Sequence, residues 1–248
     1  MLTGLFNRNY LDNELKRLTP SREFPITILS MDLDGLKVIN DALGHHHGDS
    51  QLKACAQILQ RSFRSSDIVA RIGGDEFAAL LPRTAPEAAQ KIIRRIQSEI
   101  QRYNQQYAQL VPLSLSIGLA CAEDDCTDLH SIQMQADDRM YQDKLNPGLT
   151  NRPHVLQYLL AAMEERDFIN NGHARRVEEL STALGRKVDL SSSQLANLAL
   201  LSRVHDLGKV GVPDRVLFKA GPLTAEEWHV MRQHPEKGHR IALSSADL

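Results

Sequence analysis

The chain has 248 residues, enough for two small domains with separate cores, and its 31 acidic and 29 basic residues leave a net charge of −2. That balance excludes general affinity for nucleic acid, so any nucleotide recognition must come from local sites. Cys55, Cys121 and Cys126 have no paired spacing for metal or redox work; the odd count fits buried thiols in a reducing cytosol, no signal peptide or membrane-spanning stretch is read, and a cytoplasmic location is expected.

In chain order, Pro25 to Met31 reads as a strand, with Ile26, Ile28 and Leu29 apolar and partly β-branched. Asp32 closes it, at the carboxyl end where α/β sheets place ligand chemistry. Val38, Ile39, Ala42 and Leu43 recur at helical spacing, which predicts a short helix over Leu36 to Leu43 with Asp34 as its N-cap rather than a ligand. The run His45-His46-His47 is discounted as a metal tract, because adjacent histidines on a short loop rarely converge on one ion. A helix is predicted from Ser50 to Phe63, with Leu52, Cys55, Ala56 and Leu59 on its apolar face and Asp49 as a candidate N-cap. Arg64-Ser-Ser-Asp67 reads by default as a surface salt bridge.

The next stretch is the most informative. Arg71-Ile-Gly-Gly-Asp-Glu-Phe77 lies between the apolar runs Ile68 to Ile72 and Phe77 to Leu81, and predicts a β-hairpin with acids at its tip. Gly73 and Gly74 are expected to supply positive φ angles and to let the backbone approach a bulky ligand. Asp75 and Glu76 then carry adjacent charges that are costly unless a cation shares them, and Mg²⁺ is typically held by one or two carboxylates plus substrate phosphates.

After a breaker-rich linker, Asn146-Pro-Gly-Leu-Thr150, strand signals almost vanish. His154 to Glu165, Gly172 to Gly185, Ser191 to Leu207 and Thr224 to Gln233 show helical periodicity, with cap residues in Asp189-Leu-Ser and Leu223-Thr-Ala-Glu. His173, His205-Asp206 and His234 are spread over these helices, a pattern that suits a metal held in a bundle; the ordinary reading of His173 alone is a core residue. Lys209, four residues after His205, is expected on the same helical side, placed for a phosphate.

The segments Asp32-Leu-Asp-Gly-Leu-Lys-Val-Ile-Asn40 to Gly48-Asp49 and Arg71 to Phe77 resemble the GGDEF family of diguanylate cyclases. Leu2-Thr-Gly-Leu-Phe-Asn-Arg8, Ala136-Asp137, Met140-Tyr141 and Lys144 extend the resemblance over roughly Met1 to Asn146. It implies an α+β fold for residues 1–146, with a central, mostly antiparallel sheet flanked by helices. It also implies condensation of two GTP into cyclic di-GMP and pyrophosphate by a homodimer, since each domain binds one GTP. Asp32, Asp75 and Glu76, assisted by the Leu33 carbonyl, would hold a pair of Mg²⁺ or Mn²⁺ ions. Asp75 or Glu76 would accept the proton. Asn40 and Asp49 would read the guanine edge, and Gly35, Leu36, Lys37 and Lys144 would bind the triphosphate. Arg64 and Asp67 would form an inhibitory product site. Read singly, Asp49 is also a helix cap, Lys37 a solvated charge and Asn40 a turn former. The chain departs from the pattern at Gly148, where an Arg is common, and at Met1, where the family's opening Asp would leave Arg8 a partner.

His205-Asp-Leu-Gly-Lys-Val-Gly-Val-Pro-Asp214 with His234-Pro-Glu-Lys-Gly238 resembles the HD-GYP phosphodiesterases of cyclic di-GMP. An all-α, incomplete HD-type domain over 151–248, joined by a linker at 147–150, is therefore expected. Ile169 stands where some members place a metal-binding Glu, and the later His-His-Glu and Gly-Tyr-Pro segments do not occur. His173, His205, Asp206 and His234 are expected to form a vestigial metal site without phosphodiesterase activity, with apolar surface exposed and both ends of a longer parent missing. The competing expectations are a non-catalytic cyclic di-GMP receptor acting through Arg64 and Asp67, and a phosphodiesterase whose first domain binds GTP as a regulator.

Overall fold

The computed structural model describes residues 2–19, 23–107, 110–124, 128–145, 155–167 and 172–244. The linker at 147–150, Met1, Cys126 and Ile169 lie outside the described residues. The chain divides into two compact units, Met1–Leu36 with Gly48–Pro153, and Lys37–His47 with His154–Leu248.

The first unit is built on a five-stranded sheet. Its strands are β1 (Phe6–Asn7), β2 (Ile26–Leu33), β3 (Ile68–Arg71), β4 (Glu76–Leu81) and β5 (Leu115–Ala122), in the order β1-β3-β4-β2-β5. β1 runs parallel to β3, and every other pairing is antiparallel. All eight residues of β2 are buried, because helices cover both faces of the sheet. Strand alternation sends Ile26 and Ile28 to a core shared with α1 (Arg8–Leu18) and α5 (Leu129–Leu145). Leu29, Met31 and Leu33 point the other way, into a core with α3 (His45–Ser62) and α4 (Pro86–Gln106).

Three local expectations are corrected. Helix α2 (Leu36–Leu43) ends at Gly44, whose φ of +89° suits a left-handed C-terminal cap, and its N–H bonds the Asn40 carbonyl at 2.9 Å. One residue thus separates α2 from α3, which begins at His45 rather than Ser50. Asp49 therefore lies inside α3 and caps nothing, and the three histidines form its exposed first turn rather than a loop. Gly73 and Gly74 do not have positive φ. Arg71 pairs with Phe77, so residues 72–76 form a wider loop, closed by Ile72 N–H to Glu76 O at 2.9 Å. Gly73 instead leaves room for the Glu76 side chain, and a Cβ at Gly74 would meet open space.

The second unit holds α6 (Val155–Asp167), α7 (His173–Lys187), α8 (Ser192–Val204), a 3-10 turn (Leu207–Gly211), α9 (Asp214–Leu217), α10 (Ala225–Met231) and α11 (His234–Ser244). Ser191 starts α8 with a capping box completed by Gln194, and Thr224 does the same for α10 with Glu227. α8 stops at Val204, short of the expected Leu207, so Lys209 sits in the 3-10 turn and not on a helix carrying His205. Leu180, Leu184, Val188 and Leu201 are exposed, in line with the apolar surface expected of this unit. Cys55 is buried and Cys121 only half-buried.

Helix α5 approaches the sheet closely. A Cβ at Gly118 would lie 2.0 Å from the Ala136 carbonyl oxygen and 2.2 Å from the Met140 nitrogen. Gly118→Ala should therefore destabilise the first unit by about 2–3 kcal/mol, read as a lower urea midpoint. A midpoint equal to the parent's would contradict this packing of α5 on β5.

Candidate active site

Strand register creates the site. Asp32 on β2 pairs across the sheet with Glu76 on β4 and, on its other side, with Ser116 on β5. Side chains of directly opposed residues share one face, so two carboxylates meet there, a destabilising arrangement without a cation. The Leu33 N–H donates to the Asp75 carbonyl at 2.9 Å, which ties the hairpin loop to the end of β2. Burial first, then the charges of Asp75 and Asp34, push the Asp32 carboxyl up to about 6, against the pull of Lys144.

Two cations border this cluster. Lys144, near the end of α5, places Nζ 2.7 Å from Asp32 Oδ1. Arg8 at the start of α1 donates Nε to the Ile72 carbonyl at 3.0 Å and brings Nη2 within 3.6 Å of Glu76. Arg71 donates to the Gly74 carbonyl through Nη2 at 2.6 Å, stiffening the loop from within. Neither arginine emerges from spacing alone, because each acts on a backbone carbonyl that only the folded loop presents.

The N-cap reading of Asp34 does not hold. Its carboxylate accepts the hydroxyls of Ser114 and Ser116, each at 2.6 Å, and so braces the end of β2 against β5. Gly35 has φ +69° and precedes α2 with Leu36 buried. Lys37 is exposed, and Asn40 has a buried Oδ1 without a hydrogen-bond partner; both belong to the second unit, as does Asp41, which accepts from Ser244 at 2.9 Å. Asp49 is half-buried on α3. Arg64 and Asp67 form a turn rather than a salt bridge: the Asp67 carboxylate accepts the Arg64 backbone N–H at 2.8 Å, which leaves the Arg64 side chain exposed.

In the second unit, ligand atoms of His173, His205 and Asp206 lie within 4.8 Å of one another, and His234 Nε2 is 3.4 Å from Asp206 Oδ1. A close crossing sets this up: a Cβ at Gly208 would stand 2.5 Å from the Gly238 nitrogen. His205 and His234 each turn Nδ1 to a backbone carbonyl, of Ser202 and Met231, at 2.8 Å. Their Nε2 atoms therefore face the Asp206 oxygens, lone pair to lone pair unless a cation intervenes or the rings are protonated. Lys209 Nζ lies 2.5 Å from Asp206. Among the described residues this is the one His/Cys/Asp/Glu group close enough to hold a metal by such spacing.

The family model for the diguanylate cyclase, GGDEF domain matches residues 1–152, more than half of the chain. The chain belongs to the GGDEF family. An HD-domain model matches residues 157–245. The chain is 35% identical over 147 residues to a probable diguanylate cyclase, DgcT of Escherichia coli K12, covering 58% of this chain and 32% of the relative. It is 33% identical over 190 residues to the bifunctional diguanylate cyclase/cyclic di-GMP phosphodiesterase MucR of Pseudomonas aeruginosa, covering 68% and 27%. Among solved structures, the GGDEF domain of Caulobacter crescentus DgcB in complex with c-di-GMP matches with a TM-score of 0.54 and 29% identity, over 59% of this chain and 89% of that one. The chain thus spans about a third or less of the length of these curated relatives.

The donor chemistry of the GGDEF site suits a hard divalent cation, although its three carboxylates are not gathered within 4.8 Å of one another as the HD ligands are. Its donors would all be oxygen, from Asp32, Asp75 and Glu76, and the charges of Asp75 and Asp34 beside the buried Asp32 are of the kind such an ion neutralises. The imidazole and carboxylate set of the HD domain fits a transition metal.

With its pKa raised, Asp32 is held more weakly in its charged form by the fold than by the unfolded chain. Its stabilising contribution is complete below about pH 4 and is lost as pH rises through about 6. In chelator, Asp32→Asn should therefore gain stability relative to the parent as pH rises from 4 to 7, by on the order of 2 kcal/mol. A difference in urea midpoint that does not change with pH would refute this.

Proposed function

We propose that the GGDEF domain, residues 1–146, condenses two GTP molecules into cyclic di-GMP and pyrophosphate. The observation that carries this reading is the register pairing of Asp32 with Glu76 beside Asp75, in a domain of this family. Asp32, Asp75 and Glu76, with the Leu33 carbonyl, hold the divalent ions, a pair of Mg²⁺ or Mn²⁺. When bound, such ions lower the pKa of the attacking 3′-hydroxyl and neutralise charge on the leaving pyrophosphate. Asp75 or Glu76 takes the hydroxyl proton. Asn40 and Asp49 present acceptors to the guanine edge. Gly35 and Leu36 offer backbone, and Lys37 and Lys144 charge, to the triphosphate. Gly73 and Gly74 keep the loop open to the substrate.

Each domain presents one GTP site, so the active species is a homodimer. Product binds Arg64, whose guanidinium is exposed and suited to planar contacts with guanine and phosphate, beside the turn that Asp67 fixes. After a linker at 147–150, residues 151–248 form a domain of the HD type. His173, His205, Asp206 and His234 would form at most a partial, vestigial metal site, with Lys209 for a phosphate. No helix among the described residues is long and apolar enough to cross a membrane. A GTP substrate and free Cys55 fit the cytoplasm.

Purified protein given GTP and Mg²⁺ should form cyclic di-GMP and pyrophosphate, and Asp75→Ala with Glu76→Ala should lower the rate roughly 1,000-fold. Specific activity should rise with protein concentration; a strictly constant value across a wide dilution series would contradict the homodimer. Arg64→Ala should raise the final yield of product by relieving inhibition, and an unchanged inhibition curve would remove Arg64 from that role.

A further inference from the structure

The ion pair between Lys144 and Asp32 bears on more than charge balance. Asp32 is nearly enclosed, with its side chain 9% exposed, whereas that of Lys144 is 41% exposed. The backbone that carries Lys144 is fixed. Asp143 accepts the Ile117 N–H at 3.0 Å, Arg139 donates to the Leu119 carbonyl at 2.5 Å, and Gly118 admits α5 against the sheet. What can move is the four-carbon stem of Lys144, which ends in a compact point charge. The other charged groups are anchored differently: Asp34 by the hydroxyls of Ser114 and Ser116, and Arg8 by the Ile72 carbonyl. The ammonium stands 2.7 Å from Asp32 Oδ1, a position that a divalent ion bound to Asp32 would contest.

We propose that Lys144 is an exchangeable counter-ion. It holds the cation position at Asp32 in the nucleotide-free protein, gives way to the divalent metal, and is thereby released toward the nucleotide's phosphates. This rests on the reading of Asp32, Asp75 and Glu76 as a metal site. The consequence is coupling: metal alone competes with Lys144 and binds weakly, whereas metal arriving with a triphosphate gives the displaced ammonium a new anionic partner. Removal of Lys144 thus moves two affinities in opposite directions, which loss of structure would not do.

The test is calorimetric titration of Mg²⁺ into metal-free full chain without nucleotide, counting only the binding event that Asp32→Asn removes. Lys144→Met and Lys144→Gln, two neutral replacements of different polarity, are compared with the parent after thermal melts show that they fold. The expected result is Mg²⁺ binding about fivefold to tenfold tighter in the variants. Affinity for a non-hydrolysable GTP analogue should fall in the same proteins. Asp32-dependent Mg²⁺ binding that is unchanged or weaker in both variants would overturn the counter-ion role and leave the metal site standing. Absence of any Asp32-dependent Mg²⁺ binding, in parent and variants alike, would overturn both.

Discussion

Two carboxylates facing each other across β2 and β4 are the constraint on which the first unit depends. Asp32 and Glu76 are register partners, and Asp32 is 6% exposed on an inner strand. Like charges so placed oppose folding. The fold tolerates them by bringing Lys144 from one side and Arg8 from the other, while two serine hydroxyls hold the nearby Asp34 in place. Such a conflict between stability and arrangement is expected at functional sites.

Both candidate sites rest on close backbone approach at a glycine. Gly118 lets α5 lie against β5, which delivers Lys144 to Asp32, and Gly208 lets the 3-10 turn cross α11, which delivers His234 to Asp206. The two sites differ in chemistry. One is a set of hard oxygen donors on a rigid sheet, and the other an imidazole and carboxylate cluster whose rings are aimed by backbone carbonyls. Hydrolytic and transfer chemistries on phosphodiesters draw on both donor types.

What was legible in the sequence was local. Short apolar runs placed β2, β3 and β4, and helical spacing placed α2, α6, α7, α8 and α10. The types His, Asp, Glu and Lys named the groups that gather at each site. Register was not legible, since nothing within Ile26–Leu33 states which residue of β4 it will face. Asp34 was misjudged because its partners, Ser114 and Ser116, lie some eighty residues away. The start of α3 was misplaced, and with it the cap alternative for Asp49 and the loop under the histidines, because Gly44 turns the chain in one residue. Gly73 and Gly74 matched a tight-turn signal, yet the loop they occupy is wider, and Gly73 serves the space around Glu76. Arg8 was visible as a motif member, but its role depends on a carbonyl of the hairpin loop.

The most direct test of the central claim is the anomalous scattering of Mn²⁺ in crystals grown with a non-hydrolysable GTP analogue. Manganese is expected bounded by the carboxylates of Asp32, Asp75 and Glu76, with the Lys144 ammonium no longer on Asp32. Analogue bound with no manganese at these three residues, or with Lys144 still paired to Asp32 beside it, would contradict it.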